Sequence, residues 1–153
     1  MLAGAIAAGQ PAPALADPAE TKPDAAAHDV DYAAGKQALA RRDWREAITR
    51  FTRAAARDPD NADLQNYLGF AYRNAGQLDS AFTHYTRALE LNPRHRGAHE
   101  YAGEAYLMIG DLAKAEQHLA ALRRICLLPC EELADLEREI AAYRQRTGTG
   151  RSR

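Results

Sequence analysis

The residues best equipped for chemistry are two cysteines. Cys126 and Cys130 are the only ones in the chain and enclose Leu127-Leu128-Pro129. Three readings stand for them. In an exported protein two cysteines usually pair, and closing so short a loop contributes about 2 kcal/mol through chain entropy. In a reducing compartment they are two half-buried thiols. As chemistry, they form a redox dithiol or a pair of soft ligands for Cu(I). No βαβ pattern surrounds them, as a thioredoxin-like motif needs, and no histidine follows Cys130 as c-type haem attachment needs. We adopt the structural disulfide, conditional on export.

The histidines come next. His95 and His99 stand four apart, a spacing that puts two metal ligands on one helical face. However, His95 directly follows Pro93 and Arg94 at a turn, and no third ligand is near in sequence. A capping or solvated role is expected instead. His84 and His118 are 34 residues apart, which reads as periodicity rather than a site. The sequence has no glycine-rich phosphate loop, nucleophile motif or HExxH pattern. The carboxylates are spread over what read as helix faces, where solvation and i,i+4 pairing account for them. Catalytic residues, a metal site and a cofactor are therefore not expected. The formal net charge of -1 gives no general attraction to nucleic acid. No stretch reaches the roughly 20 apolar residues of a membrane-spanning helix.

The elements that would position these residues repeat. Gly35, Gly69 and Gly103 step by 34, as do Ala47, Ala81 and Ala115. Phe51, Tyr85 and Leu119 keep the same register, and so do Pro59 and Pro93. Each unit reads as helix, turn, helix: 30–41 with 44–57, 62–75 with 78–91, and 96–109 with 112–125. Gly76 and Gly110 sit where a left-handed residue ends a helix. The first unit has Arg42 there, so its turn is expected to differ. Pro59 and Pro93 cannot continue the second helix of their units, and Asp60 or Asn61 can cap the helix that follows. The small residues let helices approach to about 8 Å. One hairpin cannot bury its apolar face alone, and about three stacked units are a working minimum.

Outside the repeats, residues 1–16 read as a signal peptide, with a small apolar run and the triplet Ala14-Leu15-Ala16 before Asp17. No Lys or Arg precedes that run, so either the signal peptide is truncated and its start lies upstream of Met1, or the segment is an Ala/Pro-rich leader and the location cytoplasmic rather than periplasmic or secreted. Residues 17–28 read as linker. Residues 129–146 read as a capping helix: Leu133, Leu136, Ile140 and Tyr143 recur at helical spacing, with Glu132, Asp135, Glu137, Arg138 and Glu139 opposite. Pro129 fits the first helical position. Residues 147–153 read as a polar tail.

The pattern Leu68-Gly69-x-x-Tyr72, then Ala81-x-x-x-Tyr85-x-x-Ala88-x-x-x-x-Pro93, resembles the tetratricopeptide repeat from Asp29 to about Leu128. The units then fall at about 28–61, 62–95 and 96–129. The third departs from the pattern, with Leu127 where the closing proline belongs. The segment from Leu122 to Tyr143 is similar to the end of small exported bacterial members that carry a Cys-x-x-x-Cys-Glu-Glu turn. The resemblance implies an all-α fold: three repeats in a right-handed superhelix plus a C-terminal capping helix. It also implies a non-catalytic module that binds a peptide or protein segment on a concave face lined by the first helix of each repeat. On this chain that face takes Tyr32, Lys36 and Leu39, then Asn66, Phe70 and Arg73, then Glu100, Glu104 and Leu107. Gly97 and Tyr101 stand where a clamp for acidic C-termini wants basic residues, so an acidic C-terminus is not the expected ligand. Phe70 is the most informative position, because an exposed ring off the packing pattern marks a binding patch. A thiol redox or copper-handling accessory built on Cys126 and Cys130 is the alternative function.

Overall fold

The computed structural model describes residues 29–148. The expected leader, the linker up to residue 28 and the tail from residue 149 lie outside them. Seven helices follow one another: α1 (Val30–Ala40), α2 (Trp44–Arg57), α3 (Ala62–Asn74), α4 (Leu78–Leu91), α5 (Arg96–Met108), α6 (Leu112–Ile125) and α7 (Glu131–Thr147). No strand occurs among the described residues. The fold is an all-α helical repeat. Helices pair as α1 with α2, α3 with α4 and α5 with α6, each pair stacks on the next, and α7 packs on α5 and α6. None of these helices is long and apolar enough to cross a membrane.

Local chemistry sets the helix ends. Asp29, Asp43, Asn61 and Asp111 cap α1, α2, α3 and α6 by accepting hydrogen bonds from backbone N–H groups of the first turn. His95 does the same for α5, its Nδ1 accepting from the Ala98 N–H at 3.1 Å. Its Nε2–H therefore points the other way and donates to Asp63 Oδ1 at 2.9 Å.

The first turn does not differ from the others, contrary to expectation. Arg42 adopts φ 57°, beside φ 78° and 81° at Gly76 and Gly110. All three turns close with the same backbone bond. The Asp43 N–H donates to Ala38 O, the Gln77 N–H to Tyr72 O and the Asp111 N–H to Tyr106 O, each at 2.9 Å. The cooperative end of helix α1 thus imposes a left-handed backbone on an arginine, which a glycine would adopt freely.

The core divides between the units. Ala47, Phe51, Ala54, Leu64 and Leu68 fill the first interface, and Ala81, Tyr85, Ala102 and Ala105 the second. Leu119, Leu122, Leu136 and Ile140 fill the last. The three glycines act differently than their spacing implies. A Cβ at Gly35 would stand 2.7 Å from the Phe51 ring, and one at Gly69 would collide with the Tyr85 ring, both within the same hairpin. At Gly103 the obstacle is Leu136 of α7, also at 2.7 Å. Leu119 is shorter than an aromatic ring, and the capping helix takes up the space it leaves.

A polar pair also repeats with the period. Arg50 meets Asp31 at 3.1 Å, His84 meets Gln65 at 2.8 Å, and His118 meets His99 at 3.0 Å. Each pair joins the two helices of one hairpin. His84 stacks on Tyr72 and His118 on Tyr106, which likewise recur at the period. Burial lowers the pKa of His118 to about 4 and shifts His84 and His99 in the same direction. The neutral pair shares one proton acceptor: His99 Nε2–H donates to Pro93 O, so its Nδ1 accepts from His118.

The junction after α6 departs from the repeat. Cys126 caps the C-terminus of α6 and Cys130 the N-terminus of α7. Their Sγ atoms lie 2.02 Å apart and their Cα atoms 6.0 Å apart, inside the 4.4–6.8 Å range of paired cysteines. Pro129 precedes the N-cap rather than opening the helix as expected, because Cys130 is held extended at φ -129°, ψ 149°. Helix α7 runs one residue past the expected end at 146, to Thr147, and ends on Gly148 at φ 70°.

Candidate functional groove

The first helices of the hairpins, α1, α3 and α5, lie side by side, and their turns repeat with the sequence period. This lines up every third or fourth residue of each helix across the stack. Of the nine residues expected on this face, seven line its three hollows, and Tyr32 and Lys36 line none of the three. Phe70 is half-buried, not bare. Its ring lies 4.8 Å from that of Tyr101 and 6.1 Å from Trp44 at the start of α2. Lys36 Nζ sits 5.8 Å from the Tyr32 ring and 5.7 Å from the Tyr67 ring. Arg73 forms an ion pair with Glu104, and its guanidinium lies 5.4 Å from Phe70 and 5.3 Å from Tyr101. Tyr32 also packs against Phe51, and Leu107 is buried in the last core, so both serve the interior as much as the face. Asn66 and Glu100 are buried, at 6% and 7% exposed.

Three hollows open along this face. The middle one, about 290 Å³, is lined by Leu39, Ala40, Tyr67, Phe70 and Tyr101. The second, about 310 Å³, lies towards the capping helix and is edged by Asn66, Glu100, Glu131, Glu132 and Asp135. The third, about 280 Å³, lies between Arg73, Glu104 and Leu107 and the second half of α7, at Glu139 and Arg146.

Charge is unevenly distributed along it. Glu100 has no ion-pair or hydrogen-bond partner among the described residues. Burial, with Glu104, Asp135 and Glu132 nearby, pushes its pKa up to about 8, and Arg73 offsets only part of this. Burial likewise raises Tyr101 to about 12.

Sequence reasoning missed several members of this face. Tyr67 could have been found by stepping 34 residues back from Tyr101, which the sequence placed on the face only as a clamp position without a basic residue. The α7 carboxylates could not. Glu132, Asp135 and Glu139 read as part of a solvated face, but all three are partly covered and turn towards the groove. Only Glu137 and Arg138 of that set remain exposed.

The tetratricopeptide repeat profile matches residues 32–90 and 71–126. No curated protein matches the chain. Solved structures share the fold at low identity. The first tetratricopeptide domain of Spaghetti, solved bound to an HSP90 peptide, SRMEEVD, is 21% identical, with a TM-score of 0.62 over 71% of this chain and 86% of that one. The Sgt2 tetratricopeptide domain from Aspergillus fumigatus is 20% identical, with a TM-score of 0.65 over 74% of each chain. A mutant of MamA is 24% identical, with a TM-score of 0.57 over 71% of this chain and 61% of that one.

Proposed function

The chain belongs to the tetratricopeptide repeat family, and from that premise we propose that it is a non-catalytic interaction module whose concave face holds an extended segment of a partner protein. The observation that carries this reading is the apolar hollow between Leu39, Tyr67, Phe70 and Tyr101, set midway along the face of α1, α3 and α5. Rings that are half-buried before a ligand arrives lose little side-chain freedom when it does, which favours binding. The Spaghetti domain, solved with a peptide, supports a peptide ligand for the fold. Its acidic peptide is not carried over, because this groove ends in carboxylates.

Photo-cross-linking in the native host tests the reading. With p-benzoylphenylalanine in place of Phe70, a discrete protein adduct is expected. The same residue in place of Thr83, exposed on α4, should give none. Equal adducts from both positions, or none from Phe70, would count against a groove.

We further propose that the chain works in an oxidising compartment. The cysteine geometry supports this, since disulfides persist where glutathione does not reduce them. Alkylation of the native protein before lysis should find no free thiol. Two free thiols would revive the reduced-thiol and copper-handling readings.

A further inference from the structure

We propose that the hollow between α3, α5 and the start of α7 is a subsite for a cationic side chain, a lysine ammonium or an arginine guanidinium, carried by the partner segment. This rests on the groove-binding reading above and names the chemistry of its ligand.

Carboxylates reach the hollow from three elements: Asp63 from α3, Glu100 from α5, and Glu131, Glu132 and Asp135 from α7. Three of them already have partners at the rim. Asp63 meets His95, Glu132 meets Arg96 at 3.5 Å, and Asp135 meets Arg138 at 2.7 Å. Among the described residues, Glu131 is exposed and unpaired. Glu100, the deepest, is also unpaired, and it is buried.

A second group, independent of the carboxylates, is equally unsatisfied. Asn66 is 6% exposed and lines the same hollow, and its Oδ1 has no hydrogen-bond partner. Buried acceptors without donors are unfavourable and rare in folded proteins. Gly97 lines the same hollow, and a Cβ there would crowd the Asn66 amide, 3.2 Å from its Nδ2, so the glycine leaves that amide room to turn.

A ligand that satisfies both groups must bring N–H donors and positive charge. An acidic ligand would add like charge beside Asp63, Glu132 and Asp135 and would hold Glu100 protonated. No three His, Cys, Asp or Glu side chains among the described residues converge closely enough for a metal ion. The spread acceptors suit an organic cation with several N–H groups. Tyr67 and Tyr101 border both this hollow and the apolar one, and their rings offer faces to a cation as it enters. The segment therefore places an apolar side chain against Phe70 and a lysine or arginine beside it, towards α7.

Selection from a phage library of random peptides about a dozen residues long, on the full chain, tests this. The consensus peptide is then titrated by fluorescence anisotropy. The expected consensus pairs a lysine or arginine with a nearby apolar residue. Glu100→Gln should weaken its binding by about tenfold or more, with a smaller loss for Asp135→Asn. A twin peptide with glutamine for the basic residue should bind more weakly and be indifferent to Glu100→Gln. Glu100→Gln keeps the shape of a group that burial already pushes towards its neutral form, so loss of folding does not confound the comparison; a thermal melt checks this. An acidic or neutral consensus, or a basic one unaffected by Glu100→Gln, overturns the cation subsite. If that peptide still loses affinity to Phe70→Ala, the groove reading survives. If no peptide is enriched, or binding ignores Phe70→Ala as well, both readings fall.

Discussion

The two ends of the stack handle charge in opposite ways. At the N-terminal end every buried carboxylate is answered. Asp29 and Asp31 both meet Arg57, and Asp31 also meets Arg50. Hydrogen bonds from Arg57 hold Asp29 down at about 2, and those from Arg57 and Arg50 hold Asp31 below the usual carboxylate range. At the C-terminal end Glu100 is buried among like charges with no partner, and the backbone is fixed by Leu136 against Gly103 and by the Cys126–Cys130 junction. One end is complete by itself. The other carries an electrostatic cost that a ligand of the right charge would remove, and rigid packing around it keeps the cost from relaxing away.

The largest expected effect is a pH response of opposite sign at the two ends. Asp29 and Asp31 have lowered folded-state values. Their contribution is present above the unfolded value near 3.8 and is lost as pH falls through the folded one. Glu100 has a raised folded-state value, so the native state binds the extra proton. Stability from this group is greatest below the ordinary value near 4.5 and falls as pH rises towards about 8. Thermal melts across this range should show Glu100→Gln flattening the decline above pH 4.5 without altering the acid limb. An unchanged decline would mean that Glu100 is solvated or paired in solution.

The next effect in size concerns the junction. Replacing both cysteines by serine should cost about 2 kcal/mol and speed hydrogen exchange in α7 more than in α3 or α4. Equal acceleration throughout would mean that α7 does not depend on the bond.

Smaller still is the glycine comparison. Gly35→Ala and Gly103→Ala have the same clearance and meet fully buried side chains, but the first meets the rigid Phe51 ring and the second the branched side chain of Leu136, which has rotatable bonds by which to shift. Gly35→Ala should cost about 1–2 kcal/mol net of its gain in helix propensity, and Gly103→Ala less. Urea unfolding of the pair checks this. The smallest is Arg42→Gly, which should add about 0.5–1 kcal/mol by relieving the left-handed arginine.

The repeats were legible because their signals are periodic. Glycines, alanines and prolines at a spacing of 34 locate the hairpins, and α2, α4 and α6 begin and end where the pattern places them. What escaped depends on contacts that break the period. Nothing at Arg42 itself signals that it adopts the turn of Gly76 and Gly110; the bonds that close the turn come from its neighbours. Gly103 carries the same spacing as Gly35, yet its neighbour is on α7 rather than α6. The groove positions on α1, α3 and α5 came from the family resemblance and step by 34, although their residue types differ: Tyr32, Asn66 and Glu100 at one, Lys36, Phe70 and Glu104 at the next. The groove's acidic end draws on Glu132 and Asp135, whose orientation depends on how α7 leaves the cysteine junction, which no spacing encodes.

Backbone-amide NMR of the chain titrated with the selected consensus peptide tests the groove most directly. The account predicts the largest shifts at Tyr67, Phe70, Glu100 and Tyr101 and along the first turns of α7, with α2, α4 and α6 nearly unmoved outside Trp44. Shifts centred on the outer faces of α4 and α6, or on the exposed Leu127-Leu128 turn, would contradict it.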